Sequence, residues 1–113
     1  MNSDTDSINR LCDDLYHVAE SLRYATKVKE YQEALEKNRI LWESLRVVAH
    51  DTHLAKYQRV RDDVLSKATW VEAVYAEGMP LSDHVVEQLI IVDLQTYAHL
   101  RAAVRADYST EVG

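Results

Sequence analysis

Apolar residues recur three and four apart through most of the chain while charged residues keep to the opposite sides, a pattern that predicts amphipathic helices almost from end to end. The clearest stretch is 33–51, where Leu35, Trp42, Leu45 and Ala49 share a face that Leu41 and Val48 widen, and Glu33, Glu36, Lys37, Arg39, Glu43 and Arg46 take the rest. Upstream, Ile8, Leu11, Cys12, Leu15, Ala19 and Leu22 form a stripe behind Ser3, Asp4, Thr5, Asp6 and Ser7, which offer caps and acid to a helix N-terminus. Downstream, Leu54, Tyr57, Val60, Val64, Ala68, Val71 and Tyr75 make a third stripe. Val85, Val86, Leu89, Ile90, Val92, Leu94, Tyr97, Ala98, Leu100 and Val104 make a fourth, apolar on more than one side. That last helix is wide enough to be the central helix of the domain or part of a partner surface.

The stripes do not continue into one another. Extending the first by sevens from Leu22 lands on Lys29 and Glu36, so the chain breaks near Thr26 or the stripe rotates along one longer helix. Extending the second beyond Ala49 lands on Lys56 and Asp63, which asks for a break at 50–53 with Asp51 or Thr52 capping the third helix. Gly78-Met79-Pro80 ends that helix, and Ser82 or Asp83 can cap the fourth. The expected fold is all-α, a compact small bundle of about four helices (5–25, 28–50, 53–77 and 82–106) in a single domain 1–113 with a flexible tail at 107–113; a helical-hairpin dimer is the alternative.

Composition narrows the function. A chain of 113 residues that is 47% hydrophobic and 28% charged has room for one core and little for an enclosed active site. No uncharged run is long enough to span a membrane, and the acidic start does not resemble a targeting leader, so a cytoplasmic protein is expected. A net charge of −6 disfavours nucleic acid, and the best basic cluster, Lys56, Arg59, Arg61 and Lys67, is interrupted by Asp62 and Asp63. The one cysteine, Cys12, lies on an apolar stripe and reads as core.

Candidate chemistry is sparse. His50 with His53, and His84 with Glu87, are three apart, but no Glu-x-x-His occurs and one cysteine cannot build a zinc site, so neither metal nor cofactor is expected. Two glycines cannot form a phosphate loop or a nucleophile elbow, and the side chains of Asp13-Asp14 and Asp62-Asp63 diverge on a helix; no enzyme is expected. Trp42 and Trp70 are the strongest anchors, for a core in the first instance or for a partner, and Tyr24 and Tyr31, one heptad apart, suit the lining of a groove.

Asn38-Arg39-Ile40-Leu41-Trp42-Glu43-Ser44-Leu45, then Ala68-Thr69-Trp70-Val71, then Leu89-Ile90-Ile91-Val92-Asp93 reaching Leu100-Arg101, together resemble the FlaF family of flagellar biosynthesis regulators over 31–101. The resemblance implies a small, cytoplasmic, non-enzymatic helical protein that supports flagellin synthesis or export as an adaptor or chaperone, with flagellin or a flagellar co-regulator as its protein partner. It marks Leu41, Trp42, Leu45, Trp70, Val71, Leu89 and Ile90 as family positions, either determinants of the fold or partner-binding contacts; as contacts, with the apolar width of the fourth helix beside Trp42 and Trp70, they would line an apolar groove that receives an amphipathic client helix. The alternative is a structural homodimer, or an interaction module unrelated to flagella, in which the same apolar width is covered by a second copy.

Overall fold

A computed structural model describes residues 3–51 and 57–112, with side chains for 6–51 and 57–106. Four helices succeed one another, α1 (Ser3–Tyr24), α2 (Val28–His50), α3 (Gln58–Ala76) and α4 (Asp83–Val112), and the described residues contain no strand. The chain therefore does break at Thr26, and the alternative of one long helix with a rotating stripe falls away. Asp51 does not open α3: it closes α2, its backbone N–H donating to Val47 O at 3.0 Å, and α3 begins only after Tyr57. Thr52, His53, Leu54 and Lys56 lie outside the described residues.

Gly78 stands just past the end of α3 at φ +90, a conformation that costs glycine little, and its N–H returns to Tyr75 O at 3.1 Å. Ser82 then caps α4, its hydroxyl accepting from Val85 N at 3.3 Å. α4 runs to Val112 instead of stopping at 106, for no glycine or proline interrupts the chain between Asp83 and Val112. Its 30 residues, at a rise of about 1.5 Å each, account for most of the 48 Å long axis of the molecule.

The helices form a ring in which α1 packs on α2 and α4, and α3 packs on the same two. α2 and α4 thus face each other across the bundle axis. Neighbours run antiparallel: Tyr16 meets Tyr97 at 5.5 Å between ring centroids, Arg46 pairs with Glu72, and Asp63 reaches His99. The two outer walls differ in substance. α1 buries Ile8, Cys12, Leu15, Val18, Ala19 and Leu22, whereas α3 buries only Val64, Ala68 and Val71. Burial lifts the Cys12 thiol to about 11, which keeps it protonated and unreactive.

Candidate functional site

The bundle axis is not wholly apolar. Along α2 the inward seam runs Leu35, Asn38, Trp42, Leu45, Ala49, and along α4 it runs Val86, Leu89, Asp93, Thr96, Leu100, Val104. Spacings of three and four thus carry Asn38, Asp93 and Thr96 into the interior with the apolar residues, and each is 0% exposed. Thr96 is satisfied on its own helix, its hydroxyl donating to Val92 O at 2.8 Å. The other two are joined across the axis.

Trp42 Nε1 donates to Asp93 Oδ1 at 2.7 Å. One end of the Asn38 amide lies 2.6 Å from Asp93 Oδ2 and 3.1 Å from Asp93 Oδ1, and the other lies 3.1 Å from the Tyr75 hydroxyl, which donates to Leu35 O at 2.7 Å. Three helices are thereby tied through one chain of polar groups. Burial raises the Asp93 carboxyl to about 7, offset only in part by the Trp42 hydrogen bond. Tyr75 rises to about 12, chiefly by burial.

Outward from this chain, between α2 and α3, opens a cleft of about 170 Å³. Trp42, Ala68, Val71 and Tyr75 make its floor and walls, and Arg39, Glu43, Arg46 and Glu72 its rim. The rim charges are mutually engaged, Arg46 with Glu72 across the cleft and Arg39 with Glu36 and Glu43 along α2. The hydrogen bond from Arg39 holds Glu36 below its ordinary range. The volume falls short of the roughly 300 Å³ at which small-molecule sites begin, so the cleft fits one large side chain of a partner better than a substrate. A wider, shallower hollow of about 570 Å³ lies between α1 and the start of α4, where Tyr31, Asp83, Glu87 and Ile91 surround Leu22 and Ile90.

Of the residues marked by the sequence, Leu41, Trp42, Leu45, Val71, Leu89 and Ile90 are buried, and among these Trp42 and Val71 also border the cleft. Trp70 is 37% exposed, so a core position fits Trp42 (2%) and not Trp70. It lies two turns along α3 from Asp63, whose carboxylate accepts from Lys67 and contacts His99 of α4. Tyr24 and Tyr31 line two different depressions, not one groove. Asn38, Tyr75 and Asp93 are not marked as site residues by sequence, although Asn38 and Asp93 stand at seam spacing and that spacing alone is enough to flag them.

No group of three histidine, cysteine, aspartate or glutamate residues able to hold a metal occurs among the described residues. His53 lies outside them. No helix among them is long and apolar enough to cross a membrane. Comparison with protein-family models, with curated proteins and with solved structures gives no match.

Proposed function

We propose that this protein is a non-enzymatic, cytoplasmic adaptor of the FlaF kind, which supports flagellin synthesis or export by gripping an amphipathic segment of flagellin or of a flagellar co-regulator. The observation that carries the reading is a convergence: Asn38 and Trp42, from one of the stretches that resemble the family, meet Asp93, from another some fifty residues on, in a single buried cluster. Asn38, Trp42 and Asp93 are then the frame of one site. Beside that frame lies a cleft whose floor includes Trp42 and Val71, sized for one anchoring side chain and rimmed by charges of both signs. Burial of one apolar anchor would supply affinity, and the rim would set register and orientation.

Calorimetric titration of the purified protein with flagellin monomer and with a flagellar co-regulator from its own host tests this. Saturable binding to one of them is expected, weakened at least tenfold by Arg46→Glu and Arg39→Glu together, with the helical signal and melting temperature kept. Trp42→Ala is unsuitable as the test, since it would also unpair Asp93. Binding to neither protein, with a mass that doubles at micromolar concentration, would replace this reading by the self-associating bundle.

A further inference from the structure

The hydrogens around Asn38 can be counted. A side-chain amide donates at one end and accepts at the other, a hydroxyl has one hydrogen, and a backbone carbonyl has none. If Asp93 is a carboxylate, the NH2 end of Asn38 must face it, which turns the amide oxygen toward Tyr75. The single Tyr75 hydrogen then has two acceptors, Asn38 Oδ1 at 3.1 Å and Leu35 O at 2.7 Å, and cannot serve both. One pair of oxygens is left at hydrogen-bond distance with no hydrogen between them. If Asp93 is the neutral acid, its O–H donates to Asn38 Oδ1, Asn38 Nδ2 donates to Tyr75, Tyr75 donates to Leu35 O, and Trp42 Nε1 fills the other carboxyl oxygen. Each of these four contacts then holds one hydrogen, and the longer approach of Asn38 Oδ1 to Asp93 Oδ1, at 3.1 Å, is the pair left without one, so the two states differ in where the unfilled contact falls: beside Tyr75 for the anion, within the carboxyl–amide pair for the acid.

Among the described residues no charged group compensates an Asp93 anion. Tyr75 is the titratable group of α3 that approaches through Asn38. On α2, Arg39 and Glu36 act on Tyr75, and Arg39 is engaged by Glu36 and Glu43. On α1, the register set by Tyr16 against Tyr97 brings Glu20 to the level of Asp93, and Glu20 accepts from the Tyr16 hydroxyl. On α4 itself, the one titratable neighbour within a turn is Tyr97, whose ring lies tilted against that of Tyr16.

We propose that Asp93 is held as the neutral acid and serves as a proton-operated latch that fastens α3 to α2 and α4. Loss of the proton to water obliges Asn38 to turn over and sets its oxygen and Leu35 O in competition for the Tyr75 hydrogen, which loosens the α3 wall of the cleft. Trp42 and Tyr75 belong to both latch and cleft, so grip on a partner side chain is tighter when Asp93 is protonated. The elevated carboxyl value agrees with this arrangement and puts the transition near neutrality. The latch itself stands whether or not the partner is flagellar.

Carbon-13 NMR of the aspartate carboxyls in the native chain, from pH 4 to pH 8.5, decides it. The Asp93 carboxyl is expected to titrate near neutrality, with the Trp42 indole N–H and the Tyr75 ring resonances moving at the same midpoint. Tyr75→Phe is expected to lower that midpoint, because Asn38 can then turn without an oxygen–oxygen clash. Asp93→Asn should abolish the Trp42 and Tyr75 transitions. An Asp93 carboxyl that titrates in the ordinary carboxylate range overturns the proposal on the wild type alone. A midpoint unmoved by Tyr75→Phe, or Trp42 and Tyr75 transitions that persist in Asp93→Asn, overturns the relay.

Discussion

α1 and α3 are the two walls that flank the α2–α4 axis, and they are attached by different physics. α1 presents six apolar residues to the interior, Leu15 and Ile8 among the fully buried ones. α3 presents Val64, Ala68 and Val71, and completes its attachment with polar contacts: Tyr75 to Leu35 O, Asp63 to His99, Arg46 to Glu72. Apolar burial is indifferent to pH and tolerant of small shifts, whereas a hydrogen-bond relay depends on geometry and on the protons in it. The bundle therefore has a fixed half and a releasable half, and the cleft lies against the releasable one.

The largest effects should come from the fixed half. Leu15→Ala or Leu45→Ala should cost about 2–5 kcal/mol in urea unfolding, with all four helices lost together. Loss of α1 signal ahead of the rest would break the distinction between the walls.

Next comes pH. The folded-state value of Asp93, about 7, lies above its ordinary range, so the folded protein binds the extra proton and stability falls as pH rises through the interval between, levelling off above about 7. The slope should approach about 1.4 kcal/mol per pH unit. Asp63 works in the opposite sense: although burial pushes it up, Lys67 and His99 hold it below its ordinary value, so its contribution is present above the carboxylate range and is lost on acidification. The difference between wild type and Asp93→Asn isolates the first group, and parallel curves for the two would remove Asp93 from the explanation.

Tyr75→Phe should cost about 1–2 kcal/mol, most of it visible as faster opening of α3 while α1 is unchanged. The smallest change is expected from Arg46→Ala, within about 1 kcal/mol, because an exposed ion pair gives little to stability; a larger loss would mean that the rim itself holds the wall in place.

The helices are legible in the sequence, for three-and-four spacing is imposed locally by the helix; near Thr26 the sequence shows only that the stripe is interrupted, and the packed chain decides for a break over a rotating stripe. The end at Gly78 is legible because glycine tolerates φ +90. The start of α3 is not, since Asp51 offers a plausible cap on either side of a break and only the packed chain chooses. Trp70 reads as core from sequence because tryptophan is a large apolar anchor, yet one residue is about 100° around a helix, and the seam through Val64, Ala68, Val71 and Tyr75 leaves it on a flank. Asn38 and Asp93 stand in plain view on their seams. Their pairing does not, because it joins residues more than fifty apart and exists only once α2 and α4 face each other.

Native-state hydrogen exchange, measured helix by helix at pH 6 and pH 8 and corrected for intrinsic exchange, tests the unequal attachment most directly. The prediction is that α3 amides open several-fold more readily at pH 8 than at pH 6 while those of α1 and the facing part of α4 do not change, and that Asp93→Asn removes the difference. Equal protection of α1 and α3 at both pH values would contradict it.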